Sequence, residues 1–167
     1  FTGGLNGEIP WLILNAGEAQ AEEAFLWYKE QFGEDFYIEL NRHGLPEEDH
    51  VNSVLLDFAK KHGVKYFAAN SNYYLEKKSA YSRDILISVK EGLNFASPAE
   101  LQELKSGARF GKLFLPNDEF YFKTKDEMLK TFSDLPESLD NTQEIVDKVE
   151  LLKKRSHIDS HILCGSW

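Results

Sequence analysis

The 167-residue chain contains a single cysteine, Cys164, and few basic residues for its size. One cysteine excludes a disulfide within the chain and fits a reducing compartment, so we expect a cytoplasmic protein. The 19 Lys and Arg residues are outnumbered by 28 Asp and Glu residues, which gives a formal net charge of −9. Because affinity for nucleic acid depends on neutralising phosphates with basic side chains, this balance argues against DNA as the main direct partner.

Long apolar runs are also absent. Runs such as residues 11–14 (WLIL) are far shorter than the roughly 20 residues that span a bilayer, and the start lacks the basic-then-apolar order of a signal peptide. Apolar residues still make up 42% of the chain, which is enough for the packed core of one domain or a large piece of one. The first residue is Phe1 rather than Met, so we expect an excised fragment or a processed chain.

The first 90 residues predict the order helix, strand, helix, strand, helix. Glycine-rich residues 2–7 indicate a loop that Pro10 closes. Apolar residues at helical spacing and runs of β-forming residues predict these elements: helices at 18–32, after Pro46 and at about 77–89, and strands at 36–40 and 64–69. Such alternation is typical of parallel strands joined by crossover helices. The predicted fold class is α/β, either an open sheet or part of a barrel.

Past Gly92 the pattern becomes mainly helical. Residues 97–100 (SPAE) and 124–127 (TKDE) match the capping box that begins a helix, and residues 133–136 (SDLP) break the chain before a last helical pattern. We therefore predict a connecting region of helices after the alternating part.

Polar side chains follow the first predicted strand, where α/β folds place their functional sites. Strand alternation puts Glu39 and Asn41 on one face and Arg42 on the other, with His43 next to them in the following turn. A carboxylate, a guanidinium and an imidazole are suited to acid–base chemistry. The simpler interpretation, in which Arg42 and His43 hydrogen-bond a turn, is favoured.

Two other groups contain residue types that occur in functional sites. Ser71, within residues 70–72 (NSN) after the second strand, lacks the flanking glycines and nearby histidine of an activated nucleophile, so a turn is favoured. Near the C-terminus, zinc-binding residue types occur at a spacing that matches no recognised motif: His157, Asp159, His161 and Cys164. From the residues alone we assign no catalytic, cofactor-binding or metal-ligating residue.

Several stretches, in order and with compatible spacing, resemble one protein family. Residues 7–10 (GEIP) are similar to "SGCLxGEIP", residues 27–33 and 36–44 to "WYKEIFGDxFYLELQRHG", and residues 64–75 to "GVKLVATNDVHYL". Further on, residues 84–87 resemble "HDILLCIQTG", and residues 116–123 and 134–142 resemble "FPNDEFYFKSPEEM" and "DLPEALDNT". These are segments of the PHP (polymerase and histidinol phosphatase) domain of the bacterial replicative DNA polymerase III alpha subunit.

The resemblance implies a fold, a division of the chain and a parent protein. Residues 1–92 would be the C-terminal part of a PHP-type, TIM-like barrel, residues 93–155 the connecting region after it, and residues 156–167 a divergent or added tail. The parent would be the polymerase subunit of DNA replication, a nucleotidyltransferase. The family's early histidine-rich motifs and its polymerase aspartates lie outside this segment.

Three departures from the family pattern decide what the segment is expected to do. Gly4 stands where metal-binding members have a cysteine, Ser71 where they have an aspartate, and Tyr73 where they have a histidine. The resemblance therefore implies a degenerate site with no metal or cofactor, used as a scaffold or docking surface. The implied partners are the rest of the polymerase chain and replisome proteins such as the proofreading exonuclease subunit, with weak or no direct DNA binding. The alternatives are an active metal-dependent phosphoesterase or exonuclease, and a stand-alone binding module.

Overall fold

The computed structural model describes residues 1–94, 97–106 and 111–149. Seven helices and two strands lie in these ranges: α1 (Glu8–Asn15), α2 (Glu18–Phe32), β1 (Ile38–Asn41), α3 (Pro46–His62), β2 (Tyr66–Ala69), α4 (Ala80–Lys90), α5 (Pro98–Ser106), α6 (Lys125–Thr131) and α7 (Pro136–Lys148). Short 3-10 turns occupy Gly33–Asp35, Lys77–Ser79 and Gly111–Leu113.

The two strands pair in parallel, as predicted. Ile38 is opposite Tyr66 and Asn41 is opposite Ala69, with α3 forming the connection between the strands. Each strand is four residues long and shorter than the sequence pattern indicated. The described residues form mixed α/β structure that is mostly helical, and their two-stranded sheet does not close into a barrel. The partial barrel expected from the sequence is therefore not confirmed.

Residues 2–7 form a loop, as predicted, but Pro10 does not close it, because helix α1 begins at Glu8. Pro10 lies in the first turn of α1, where a backbone N–H would have no partner within the helix, so the proline costs no hydrogen bond. Ile9 and Ile13 point from this helix into the core, which explains why the segment folds as a helix despite its proline.

The core lies between the sheet and helices α1 to α3. Ile38 and Leu40 of β1 are fully buried against Leu55 of α3, and the rings of Phe25 and Phe36 meet edge to face with 5.2 Å between centroids. Helix α3 ends at Gly63, whose φ of 66° is the left-handed conformation that glycine adopts without strain. The helical spacing of apolar residues therefore identified the buried face of α3 correctly. In α2 the prediction was right for Ala21 and Phe25 but wrong for Phe32, which is exposed.

The later helices pack onto this sheet. The Asn141 side chain of α7 donates to the carbonyl oxygen of Tyr66 at 2.8 Å, and the Tyr37 hydroxyl donates to Glu144 at 2.6 Å. Helix α6 begins with the predicted capping box, in which Thr124 and Glu127 bond reciprocally. Region 93–149 thus contacts the alternating part directly, and the division at residue 92 stays a prediction. In the described ranges, no helix combines the length and apolar character needed to cross a membrane.

Candidate functional site

A cleft of about 510 Å³ opens at the carboxyl ends of the two parallel strands. Its walls come from the loop before α1, the ends of β1 and β2, helix α4 and the segment around residues 113–120. This is the edge at which parallel α/β sheets commonly bind ligands. Gly4, Ser71 and Tyr73, the three positions that depart from the family pattern, all line this cleft.

Asn41, the last residue of β1, lies between two of these positions. A Cβ atom placed on Gly4 would be 3.6 Å from Asn41 Nδ2, and the Ser71 hydroxyl donates to Asn41 Oδ1 across 3.4 Å. The amide is oriented by Glu39, whose carboxylate accepts from Nδ2 at 2.8 Å. Strand alternation correctly placed Glu39 and Asn41 on one face. Ser71 has an amide rather than a base as its hydrogen-bond partner, so it is not activated as a nucleophile, but residues 70–72 do not form the predicted turn.

His43 is the most tightly held polar residue of the cleft. Its side chain is 1% exposed, its Nδ1 lies 2.7 Å from Glu48 Oε1, and its backbone N–H donates to Glu48 Oε2 at 2.5 Å. The ring stacks on Phe120 with 4.2 Å between centroids and an angle of 4°. Its carbonyl oxygen accepts from Asn117 at 2.7 Å. The prediction that His43 hydrogen-bonds across a turn is met by this pair, which joins the turn after β1 to the first turn of α3.

Glu48 was missed by the sequence reasoning, although its place in the first turn of the helix after Pro46 was a usable signal. A carboxylate there serves both the helix N-terminus and a side chain in the preceding turn.

Arg42 points away from the cleft, as strand alternation predicted. Its two terminal nitrogens donate to Asp134 at 2.5 and 2.8 Å, and one of them also donates to the carbonyl oxygen of Thr131 at 2.8 Å. The interpretation that Arg42 hydrogen-bonds a turn is confirmed, but the turn is the one that follows α6, about ninety residues further along the chain. Sequence spacing gave no signal for that contact.

Arg83 and Tyr73 form a second wall of the cleft and were not identified from the sequence as a pair. The Arg83 guanidinium carbon lies 5.1 Å from the centre of the Tyr73 ring, a cation–π arrangement. The Tyr73 ring in turn meets Phe120 edge-on at 6.1 Å, so the aromatic rings connect the two walls.

The end of β2 is positioned by a buried lysine. Asn70 donates to the carbonyl oxygen of Tyr121 at 2.9 Å, and Lys123 Nζ donates to Asn70 Oδ1 at 3.4 Å. Burial lowers the pKa of Lys123, while the carboxylate of Glu119 beside it opposes that effect. These contacts explain how the Asn-Ser-Asn segment presents Ser71 to the cleft.

The residues that converge in the cleft do not supply the metal ligands of the metal-binding members of the family that the sequence resembles. Glycine offers no side-chain ligand at position 4, a serine hydroxyl and a phenol are poor ligands for zinc-type metals, and the Asn41 amide occupies the space between Gly4 and Ser71. Within residues 1–94, 97–106 and 111–149, no three His, Cys, Asp or Glu side chains come together in a metal-binding arrangement. The candidate zinc residues His157, Asp159, His161 and Cys164 lie outside the described residues.

Comparison with known proteins finds similarity to one segment of polymerase subunits. It is 36% identical over 149 residues to the DNA polymerase III subunit alpha of Borreliella burgdorferi, 31% identical over 167 residues to that of Deinococcus radiodurans, and 29% identical over 157 residues to that of Campylobacter jejuni. No protein-family model matches. The matches cover 89%, 94% and 88% of this chain but only 12%, 11% and 12% of those relatives. Over most of its length the chain is therefore homologous to one segment of DNA polymerase III alpha subunits.

Proposed function

We propose that this chain is a segment of the alpha subunit of a bacterial replicative DNA polymerase, derived from its PHP domain, that acts as a scaffold and docking surface rather than as a phosphoesterase. The observation that carries the proposal is the meeting of Gly4, Ser71 and Tyr73 in one cleft at the carboxyl ends of the strands. Phosphoesterases of this family work through metal-activated water, and these side chains supply no ligand set for the metal.

Two hydrogen bonds in the cleft also argue against a phosphoesterase activity. The buried His43 is bound to Glu48, and the Ser71 hydroxyl is bound to the Asn41 amide, so neither forms a nucleophile–base pair with the other. A cleft whose polar groups hold loops together is suited to positioning surfaces for partners.

Elemental analysis tests the metal-free part of the proposal. After dialysis, the purified chain is expected to hold no stoichiometric zinc, manganese or iron and to hydrolyse no phosphomonoester. The matched comparison is the triple variant Gly4→Cys, Ser71→Asp and Tyr73→His, which restores the family's residue types and is expected to raise the zinc content. Stoichiometric metal in the wild-type chain, lost on Ser71→Ala substitution, would favour the phosphoesterase alternative.

Association with a replisome protein tests the docking part. We propose the proofreading exonuclease subunit as the partner, because the acidic segment retains no chemistry in its cleft and its net charge of −9 disfavours DNA. A full-length alpha subunit carrying this segment is expected to retain the exonuclease in a pull-down. The docking role fails if the full-length subunit binds no exonuclease while the segment alone binds DNA tightly and independently of salt.

A further inference from the structure

Two tryptophans lie exposed on the pair of helices α1 and α2. Trp11 of α1 is 53% exposed and Trp27 of α2 is 55% exposed, and Phe32 at the end of α2 is exposed as well. Single apolar side chains on a surface are ordinary, but a group of large ones marks a place where another molecule binds. Tryptophan in particular is enriched among the residues that contribute most to protein–protein binding.

The ring of Tyr28 connects these side chains into one patch. It meets the Trp27 ring edge to face with 5.0 Å between centroids, and it stacks on the Phe32 ring at 6.2 Å. The Tyr28 hydroxyl donates to the Glu8 carboxylate of α1 at 2.7 Å. Trp11 follows Glu8 by three residues, which places both on the same face of α1. The patch therefore spans both helices, and we call it the tryptophan face: Trp11, Trp27, Tyr28 and Phe32.

Negative charge borders this face. Residues 8–32 contain five glutamates and a single lysine, Lys29. Glu23 and Glu30 are exposed and lie four residues before and three residues after Trp27, so both are its neighbours on the surface of α2. Among the described residues, neither carboxylate forms an ion pair with a lysine, arginine or histidine. The face thus combines exposed aromatic rings with carboxylates that have no cationic partner in the described part of the chain.

One kind of partner complements both features. A helix with apolar residues along one side and lysines or arginines beside them would cover the aromatic rings and pair with the glutamates. Nucleic acids and anionic lipid surfaces carry the same sign of charge as this face, so they are disfavoured.

We propose that the tryptophan face binds a basic amphipathic helix of another protein. None of its residues lines the cleft at the carboxyl ends of the strands. The inference rests on the proposed docking function, to which it gives a place on the molecule and a partner chemistry.

Titration calorimetry with two synthetic helical peptides tests the proposal. Both peptides carry leucines along one side, and the other side carries lysines in the first peptide and glutamates in the second. The chain is expected to bind the lysine peptide and not the glutamate peptide. Binding is also expected to shift the tryptophan fluorescence to shorter wavelength, because the indole rings of Trp11 and Trp27 lose contact with water. Equal binding of the two peptides, or binding of neither, overturns the proposal.

Trp27→Ala is expected to weaken binding of the lysine peptide by about tenfold or more, because it removes a large aromatic anchor from the interface. Trp11→Ala provides the same test on the other helix, independently of the packing of Trp27 on Tyr28. Leu86→Ala is the matched control, since it truncates an exposed apolar side chain on α4 and is expected to leave the affinity unchanged. Unchanged affinity in both tryptophan variants would show that the peptide is attracted by net charge alone, and the proposal would be wrong.

The double variant Glu23→Gln and Glu30→Gln tests the charged border. It is expected to bind the lysine peptide several-fold more weakly than the wild type at low salt, with a smaller difference at high salt. The control is the double variant Glu47→Gln and Glu103→Gln, which removes the same charge from exposed positions on α3 and α5. Equal weakening in the two double variants contradicts a specific role for Glu23 and Glu30.

The full-length alpha subunit distinguishes a separate partner from another part of the same polymerase chain. Its affinity for the lysine peptide is expected to match that of the segment. Loss of peptide binding in the full-length subunit would mean that the polymerase chain itself covers the tryptophan face, which overturns the proposal. A full-length subunit that retains the exonuclease but does not bind the lysine peptide refutes this surface and leaves the docking function standing.

Discussion

The Arg42 guanidinium and the Asp134 carboxylate form a two-pronged ion pair, with nitrogen–oxygen distances of 2.5 and 2.8 Å. The guanidinium also lies 4.8 Å from the centre of the Phe132 ring, which is buried. The pair fixes the link between α6 and α7 to the carboxyl end of β1, on the side of the strand opposite the cleft. The hydrogen bonds between these two side chains lower the pKa of the Asp134 carboxyl and raise the pKa of the Arg42 guanidinium.

Asp134→Asn is expected to remove a pH-dependent part of the stability. Because the folded-state pKa of Asp134 is lowered, its contribution is present above the unfolded-state value of about 3.9 and is lost as the pH falls through the folded-state pKa. The side chain is 61% exposed, so we expect at most about 1 kcal/mol.

Urea unfolding from pH 7 to pH 2 measures the difference in unfolding free energy between the wild type and Asp134→Asn. The control is Asp57→Asn, which changes an exposed aspartate on α3. The wild type is expected to exceed Asp134→Asn in stability at pH 7 and to match it at the acid end. A constant difference across the whole range would show that the ion pair is not its source.

Leu55→Ala is expected to destabilise the protein by about 2–5 kcal/mol, because Leu55 is fully buried where α3 covers the sheet. Leu86→Ala on α4 is the matched control. Its side chain is 68% exposed, and the expected change is within about 0.5 kcal/mol. Chemical denaturation of both variants is the measurement, and similar costs at the two positions would contradict the placement of the core.

Thr124→Ala is expected to cost about 0.5–2 kcal/mol, since the hydroxyl accepts from the Glu127 backbone N–H and donates to its carboxylate at the start of α6. The control removes a hydroxyl from an exposed position in the middle of a helix. Ser53→Ala on α3 is expected to be neutral or slightly stabilising, because alanine is the better helix former. A cost for Ser53→Ala equal to that of Thr124→Ala would argue that the capping box contributes nothing.

The sequence predicted those elements whose signals are local. The apolar spacing of α3 and the capping box at Thr124 follow from residues within a few positions of one another. The parallel pairing of the two strands followed from the alternation of strands and helices along the first 90 residues. Helix α1 was not predicted, because Pro10 indicated the end of a loop, whereas a proline is tolerated in the first turn of a helix. The buried Ile9 and Ile13 decided the outcome through tertiary packing that no local rule contains.

The candidate site, too, could be predicted from the sequence only in part. Strand alternation placed Asn41 correctly, and the family pattern indicated that Gly4, Ser71 and Tyr73 belong to one site. The pairing of Arg83 with Tyr73 and of Arg42 with Asp134 depends on how α4 and the α6–α7 link fold back, and side-chain types alone do not fix those contacts.

Weak, salt-sensitive DNA binding is the expected behaviour of this segment alone. Several of its lysines are already paired with carboxylates that compete with phosphates, including Lys61 with Glu22 at 2.6 Å and Lys65 with Glu144 at 2.6 Å. Since DNA affinity falls with salt in proportion to the number of phosphates neutralised, scattered contacts of this kind disappear quickly as salt rises.

Fluorescence anisotropy with duplex DNA at several salt concentrations measures this binding, with the double variant Glu22→Gln and Glu144→Gln as the comparison. Removing these two carboxylates frees both lysines and lowers the net negative charge, so the variant is expected to bind DNA more tightly than the wild type at low salt and to lose that advantage at high salt. If the wild type binds tightly at high salt, or if the double variant binds no better at low salt, then the pairing of lysines with carboxylates does not set the DNA affinity. Direct DNA contact would then have to be added to the role of this segment.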